Sequence, residues 1–282
     1  MIAITGATGQ LGHHVINALL KTVPANRLVA RVRDPAKAAD LTALGINVRQ
    51  FDYAQPTPTA LTGVDKLLLI SSNIMGPARV AQHKAVIDAA KAAGVKLIAY
   101  TSILNADTST LILARDHKAT EELILASGLP HVFLRNGWYL ENHTASLAPA
   151  LQHGAILGAA GDGLFASAAR QDYAEAAAAV LTAAQPKPIY ELAGDTPYTL
   201  TQLAAEVSAQ SGKPVVYQNL PEEAFAAALL NFGLPPEVAN MLANSDAQAS
   251  RGELTSNSTD LRTLINHPTT TLAAAVKAAL SA

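Results

Sequence analysis

The 282-residue sequence contains no cysteine. A disulfide-bonded scaffold, a cysteine nucleophile and a thiolate metal site are therefore excluded. The eight histidines are scattered without an H-x-x-x-H pair, so the sequence indicates no metal site. Charged residues make up only 15% of the chain and the formal net charge is −2, which predicts no general attraction to nucleic acid or to an anionic membrane.

Long apolar runs are also missing. No segment approaches 18 consecutive apolar residues, so we expect no membrane span. Ile2, Ala3 and Ile4 are already typical of a strand, with no basic or apolar leader before them, which indicates a cytoplasmic protein without a signal peptide. Nothing in the sequence defines an oligomeric state. Half of the residues are hydrophobic, which is enough to build a full core.

The first 135 residues alternate short runs of Val, Ile and Leu with longer stretches of helical spacing. The predicted strands are 1–5, 27–33, 46–50, 66–71, 96–102 and 130–135. These runs do not alternate polar and apolar residues, as expected when helices cover both faces of a sheet. The pattern predicts an α/β fold with a doubly wound parallel sheet, the Rossmann fold.

The pattern loosens after about residue 136. The expected elements there are a loop-rich stretch over 154–163, helices over 171–183 and 200–210, a strand over 189–192, and proline-interrupted helices over 214–266. We expect residues 1–150 to form an NAD(P)-binding domain and residues 151–282 a smaller C-terminal α/β substrate lobe packed on it. The first part has 14 Lys and Arg against 10 Asp and Glu, whereas the second has 6 against 12.

A glycine-rich loop follows the first predicted strand at once and leads into a helix. It consists of Gly6, Ala7, Thr8, Gly9, Gln10, Leu11 and Gly12. The glycines permit a tight turn and let backbone N–H groups approach a pyrophosphate at the positive end of the helix. His13 stands where a P-loop requires Lys, which excludes an ATPase of that type. A glycine turn without a ligand is the alternative, but the position at the start of a βαβ unit favours a dinucleotide.

The end of the second predicted strand indicates which dinucleotide binds. Arg31 and Arg33 occupy the window in which an acidic residue would hold the ribose of NAD. Asp34 precedes Pro35 and is expected to cap the following helix. Arg33 is then free to meet a 2′-phosphate, and Lys37 can point to the same place. NADPH is therefore the expected cofactor and NADH the second choice.

Later strand ends are expected to complete the site, because ligands of such sheets bind outside the carboxyl ends of the strands. The polar residues at these ends are Asp52 and Tyr53, then Ser71, Ser72 and Asn73, then Tyr100, Thr101 and Ser102, and finally the segment 135–142. That last segment contains Trp138, the only tryptophan of the chain. Its position directly after a strand favours a role in the pocket over a role as a core anchor.

The Tyr-x-x-x-Lys pair of short-chain dehydrogenases is absent, since none of the seven tyrosines has Lys four residues later. There is also no G-x-S-x-G hydrolase motif. Reduction of a simple ketone needs a positioned acid, whereas a quinone yields a phenol-like anion with a pKa of about 10. Two function classes remain: hydride transfer to an electron-poor acceptor, and a sensor that binds the dinucleotide without chemistry. A nucleotide-sugar epimerase would need the missing pair.

Several segments carry a narrower resemblance. Residues 1–12, 32–37, 67–72, 135–139 and the tail 267–272 resemble the NmrA-like atypical short-chain dehydrogenase/reductases. More narrowly, the chain is similar to the bacterial NAD(P)H:quinone oxidoreductases of that family, along its whole length. Leu164 departs from the family pattern, which has Lys after the preceding glycines.

The resemblance implies a binding site and an activity. The residues expected to bind NADPH are Gly6, Ala7, Thr8, Gly9, Gln10, Leu11, Arg33, Ser71, Ser72, Asn73, Asn136, Gly137, Trp138, Tyr139, Leu140 and Glu141. A small-molecule quinone is expected near Trp138 and Tyr139, with two-electron reduction to the quinol. No catalytic residue is assigned, and Tyr53, Tyr139 or water could donate the proton. The alternative function is a non-catalytic NADP(H)-sensing regulator that acts through a protein partner.

Overall fold

A computed structural model describes residues 1–281, and its central feature is a seven-stranded sheet. Along the chain the strands are β1 (Ile2–Thr5), β2 (Leu28–Val32), β3 (Asn47–Gln50), β4 (Lys66–Leu69), β5 (Leu97–Ile103), β6 (His131–Asn136), β7 (Ala155–Gly158), β8 (Ile189–Leu192) and β9 (Val216–Asn219). The order in the large sheet is β3-β2-β1-β4-β5-β6-β8, and the pairs from β3 to β6 are parallel. The predicted doubly wound Rossmann sheet is confirmed.

Helices connect these strands. They are α1 (Gln10–Leu20), α2 (Ala39–Ala43), α3 (Pro77–Ala92), α4 (Ile112–Ser127), α5 (Leu140–Thr144), α6 (Leu147–His153), α7 (Arg170–Thr182), α8 (Leu200–Ser211), α9 (Glu222–Asn231), α10 (Pro236–Ala249), α11 (Asp260–Ile265) and α12 (Leu272–Leu280). None of them is long and apolar enough to cross a lipid bilayer within the described part of the chain.

The central strands are buried on both faces, which explains their unbroken apolar sequence. All five residues of β2 are buried. Ala3, Val29 and Leu67 lie in one apolar cluster with Val86 and Ile87 of α3. Successive side chains of a strand point to opposite faces of the sheet. The strand residues next to Ala3, Val29 and Leu67 therefore face the other side. Each fully buried Val, Leu or Ile contributes about 1.5–3 kcal/mol, so both helical layers stabilise the sheet.

Helix α7 packs against α1 although about 150 residues separate them in sequence. Lys21, the C-cap residue of α1, donates a hydrogen bond of 3.0 Å to Glu175 of α7. Lys66, at the start of β4, donates to the carbonyl oxygens of Leu181 (2.6 Å) and Ala183 (3.2 Å) at the end of α7. A cation at the C-terminus of a helix satisfies carbonyls that have no intrahelical partner. This contact ties α7 to the sheet.

The chain separates into two compact units. The first consists of residues 1–106, 115–136 and 170–190, and the second of residues 107–114, 137–169 and 191–282. These bounds differ from the expected division at residue 150, since 170–190 joins the first unit and 137–150 the second. The difference has a physical reason, because α7 buries its alanine-rich face within the unit that contains α1.

The second unit contains a small parallel sheet that the sequence pattern did not indicate. Strands β7 and β9 pair from Ala155↔Val216 to Gly158↔Asn219. The expectation of a loop-rich stretch over 154–163 was therefore wrong for four residues. Such a short strand has too few residues to show a pattern, and its partner lies about 60 positions away. In contrast, the helix expected to start after Thr199 is confirmed, with a reciprocal capping box between Thr199 and Gln202.

Candidate cofactor site

The glycine loop turns sharply between β1 and α1. Gly6 has a φ of +59°, a conformation that residues with a side chain rarely adopt. The amide of Ala7 donates to the carbonyl of Arg31 on β2 (3.3 Å), and the amide of Gly9 donates to the carbonyl of Gly6 (2.9 Å). The loop is thus closed by its own backbone and held to the neighbouring strand.

Gly12 lets the helix lie against this loop. A Cβ atom at position 12 would stand 2.3 Å from the Gly6 carbonyl oxygen and 2.8 Å from the Ala7 Cα. Gly9 is the N-cap of α1, no side chain caps this helix, and no acidic residue lies in its first turn. The first amides of α1 are therefore left for a ligand, and the helix dipole favours an anion there.

The Tyr53 side chain stabilises the glycine loop. Its hydroxyl lies 2.7 Å from the Thr5 hydroxyl and 2.7 Å from the Ile70 carbonyl oxygen, and a Cβ atom on Gly6 would lie 3.5 Å from it. Burial raises the pKa of Tyr53 well above its ordinary value. A phenol that is buried and already engaged in this way is a structural support and a poor donor of the reaction's proton.

The end of β2 presents the two cations that the sequence indicated. Asp34 accepts a hydrogen bond from the Ala36 amide (3.0 Å), with Pro35 at the first helical position, so its expected capping role is confirmed. The Arg33 and Lys37 side chains are exposed and, within residues 1–281, engage no other side chain. Both are available to a phosphate at this corner of the sheet.

Three side chains of the first unit accept hydrogen bonds from backbone amides of the loop that follows β4, between residues 71 and 76. The Ser71 amide donates to the Thr101 hydroxyl (2.9 Å), the Ser72 amide to Nε2 of His83 (3.0 Å), and the Gly76 amide to Asp116 (2.8 Å). These partners come from β5, α3 and α4. The position of Ser71, Ser72 and Asn73 is therefore determined by three other elements, as a precise binding loop requires.

His83 is neutral in this network. The Thr120 hydroxyl donates to the Asp116 carbonyl (2.8 Å), so it accepts from Nδ1 of His83 (2.9 Å). The proton therefore sits on Nδ1 and leaves Nε2 as the acceptor for Ser72. Burial, and next the charge of Arg79, lower the pKa of His83 to about 3. No motif marked His83 in the sequence, since its partner lies 11 residues away and its role appears only in the fold.

Two of the expected cofactor residues have buried oxygens without a partner among residues 1–281. They are the Ser72 Oγ and the Asn136 Oδ1. Buried polar atoms are rarely left unpaired in native proteins. Next to Asn136, Arg135 donates two hydrogen bonds of 3.0 and 2.7 Å to Glu121. The uncapped helix α1 and these oxygens together fit a polar, phosphate-bearing cofactor.

The remaining expected residues lie in the second unit. Tyr139 is the N-cap of α5, and Leu140 donates through its amide to the Ala168 carbonyl (3.0 Å). Trp138 is buried, and its carbonyl accepts from the Ala168 amide (3.2 Å). Tyr139 thus pairs with Ala168 of its own unit in a single parallel β-bridge. The first unit brings together Gly6 to Leu11, Arg33, Lys37, Ser71 to Asn73 and Asn136.

Comparison with known proteins gives consistent relatives. Residues 1–270 match the sequence profile of the NmrA-like family. The chain is 60% identical over 279 residues to quinone oxidoreductase 2 of Escherichia coli (strain K12), covering 98% of this chain and 97% of that protein.

Solved structures agree with this relationship. The structure of an NADPH-dependent quinone oxidoreductase from Escherichia coli complexed with NADPH has a TM-score of 0.96 at 59% identity, covering 99% of this chain and all of that one. Triphenylmethane reductase of Citrobacter sp., complexed with NADP(H), has a TM-score of 0.93 at 40% identity with the same coverage.

Proposed function

The chain belongs to the NmrA-like family, and from that premise we propose that it reduces quinones to quinols with NADPH as the electron donor. The observation that carries the proposal is the 60% identity to a quinone oxidoreductase along nearly the whole chain. The glycine loop, the uncapped helix α1 and the held loop 71–73 support it, because they are the parts that a dinucleotide site needs.

The residues of the first unit have distinct tasks in this proposal. When bound, NADPH supplies a hydride to the acceptor. The α1 amides hold the pyrophosphate, Arg33 and Lys37 hold the 2′-phosphate, and Ser71 to Asn73 with Asn136 hold the nicotinamide ribose. Tyr53 serves only to keep the glycine loop in place.

A dedicated tyrosine acid is unnecessary for this chemistry. The reduced quinone is a phenol-like anion with a pKa of about 10, so water can protonate it without large cost. This agrees with the absence of a Tyr-x-x-x-Lys pair and with the engagement of the Tyr53 hydroxyl. The chain therefore suits an acceptor that stabilises its own negative charge, and simple ketones are expected to be poor substrates.

The aromatic residues of the second unit are proposed to contact the quinone. Trp138 and Tyr139 follow Gly137, the first residue after β6, and flat rings favour stacking against aromatic side chains. Changing Trp138 to Ala is expected to raise the KM for a quinone several-fold and the Kd for NADPH by a smaller factor, because Trp138 is also among the residues expected to bind the cofactor. An equal loss of both would contradict a role in substrate contact.

The function is tested with purified protein. NADPH oxidation is followed by its absorbance with a set of small quinones and with a simple ketone as control. We expect rapid turnover with at least one quinone, slower turnover with NADH, and almost none with the ketone. Tight binding of NADPH with no turnover on any quinone would refute the enzyme and favour the sensing regulator.

A further inference from the structure

Arg31 is a fully buried cation without a hydrogen-bond partner. Its side chain is 1% exposed, and none of the three guanidinium nitrogens has an acceptor among residues 1–281. The guanidinium carbon lies 5.7 Å from the centre of the Phe51 ring. Arg135, equally buried in the same unit, is bound at two nitrogens by Glu121. Arg31 therefore differs from an ordinary structural arginine.

The surroundings of Arg31 make its positive charge energetically unfavourable when no anion is bound. Burial, and next repulsion from Arg49, lower the pKa of Arg31 to about 10, so the group still carries its proton at neutral pH. Asp34 accepts from the Ala36 amide and Asp52 from the Ala54 amide, and no carboxylate among residues 1–281 accepts a hydrogen bond from Arg31. An aromatic face compensates only part of the lost hydration of a cation.

Arg31 occupies the part of the first unit that binds the adenosine end of a dinucleotide in this fold. It pairs with Thr5 of β1 and Arg49 of β3, and its carbonyl accepts the Ala7 amide of the glycine loop. It precedes Arg33, the first residue after β2, by two positions. The position is the carboxyl end of β2, next to the phosphate loop.

We infer that Arg31 is a second determinant, beside Arg33, of the preference for the 2′-phosphate of NADPH over NADH. The bound phosphate compensates a buried positive charge that the empty protein leaves uncompensated. An anion satisfies the unpaired N–H donors and also relieves the repulsion between Arg31 and Arg49, whereas the 2′-hydroxyl of NADH brings no charge. The inference rests on the proposed cofactor and extends it to a residue within the core.

The test measures binding and stability separately. Arg31→Met keeps the length of the side chain and its contact with Phe51 but removes the charge. We expect the melting temperature of the cofactor-free protein to rise, and the Kd for NADPH to increase about 10-fold or more while that for NADH changes less than about threefold. A residue with a merely structural role would lower the melting temperature and weaken both cofactors equally, which would overturn the inference.

Two further variants, Arg49→Met and Arg33→Met, serve as comparisons for Arg31→Met. Arg49→Met removes the cation that repels Arg31, so it takes away only the part of the NADPH preference that comes from relieving this repulsion, and the NADPH-to-NADH ratio should change less than in Arg31→Met. The loss in Arg31→Met should persist at high salt, whereas the loss in Arg33→Met should shrink, because salt screens exposed charges more than buried ones. If the losses of NADPH affinity in Arg31→Met and Arg33→Met depended equally on salt, the result would contradict a buried determinant at Arg31.

A conservative variant covers the case in which Arg31→Met does not fold. Arg31→Lys keeps the charge, so it should retain most of the NADPH preference. Loss of the preference in Arg31→Lys at an unchanged melting temperature would refute the inference. All these measurements use binding without quinone. A protein that binds NADPH through Arg31 but reduces no quinone would refute the proposed function alone.

Discussion

Gly12 shows how a single residue without a side chain determines the shape of the cofactor loop. Alanine inside a helix normally gains about 1 kcal/mol over glycine. At this position the added Cβ would stand 2.3 Å from the Gly6 carbonyl oxygen, which is far inside van der Waals contact. The steric penalty is larger than this gain, because the three nearest atoms that Cβ would meet all belong to the backbone of Gly6 and Ala7.

We therefore expect Gly12→Ala to destabilise the protein by about 1–3 kcal/mol and to weaken NADPH at least tenfold. Denaturant unfolding and calorimetric titration measure the two effects. Gly128→Ala is the control, since that glycine has a φ of +75° with open space around it. The control should lose about 1 kcal/mol of stability with no change in NADPH affinity. An unchanged Kd in Gly12→Ala would show that the loop can shift without consequence.

Arg33 is the exposed counterpart of the buried Arg31. Replacement by Glu places an anion where the 2′-phosphate is expected, so NADPH should bind about 10- to 100-fold more weakly while NADH is little affected. Arg27→Glu is a matched control, because Arg27 is also exposed and lies at the opposite end of β2. Equal losses for both cofactors would contradict the assignment.

At the scale of elements, the loop after β4 depends on its neighbours for its conformation. The sequence of this loop, with two serines and an asparagine, has no conformational preference strong enough to specify one backbone conformation. The amides are instead held by Thr101 of β5, His83 of α3 and Asp116 of α4. The binding residues are therefore positioned by packing between elements that are distant in sequence.

His83→Leu should raise the KM for NADPH about tenfold and change kcat little, because the Ser72 amide loses its acceptor. His83→Asn offers both a donor and an acceptor and should restore much of the affinity. His117→Leu is the comparison, since His117 is also buried but bonds the Tyr100 hydroxyl (2.8 Å) and not an amide of the loop. If His117→Leu raised the KM as much as His83→Leu, the effect would be one of general stability.

On the scale of the whole molecule, stability depends on charges that folding buries. Asp246 of α10 is 7% exposed, and its carboxylate accepts from the Ala159 amide (3.0 Å). Burial raises its pKa to about 7. The Tyr217 hydroxyl accepts from the next amide, that of Ala160, and is the neighbouring titratable group. The second unit thus contains an acid that is neutral in the folded state under mildly acidic conditions.

The pKa of Asp246 is higher in the folded state than in the unfolded state. Its contribution to the free energy of unfolding is therefore fully present below pH 4 and is lost as the pH rises to about 7. Asp246→Asn should therefore match the parent protein at pH 4 and exceed it at pH 8, by up to about 4 kcal/mol. Thermal unfolding across this range measures the difference. Asp88→Asn, at an exposed pair with Lys84, should show no such trend. A constant difference between Asp246→Asn and the parent would contradict the raised pKa.

The absence of cysteine has a consequence for the whole chain. With no thiol in 282 residues, no cysteine can relay electrons from NADPH to the quinone. NADPH oxidation should therefore keep its full rate after treatment with a thiol-alkylating reagent such as N-ethylmaleimide. Excess reagent is removed by gel filtration before the assay, because a quenching thiol would itself react with the quinone. Inactivation under these conditions would point to modification of another nucleophile at the site.

The sequence by itself determined the fold class, the glycine loop, the capping role of Asp34 and the choice of cofactor. These features depend on local patterns, since a buried parallel strand is continuously apolar and a phosphate loop needs glycine at set spacings. The six N-terminal strands lie within two residues of their predicted ends for the same reason.

Only the tertiary structure decided the rest. The β7–β9 pair, the packing of α7 against α1, the neutral His83 behind Ser72 and the unpaired charge of Arg31 all join residues that are distant in sequence or depend on burial. No local pattern records such partners, because the free energy of a buried polar group is set by what surrounds it and not by its neighbours along the chain.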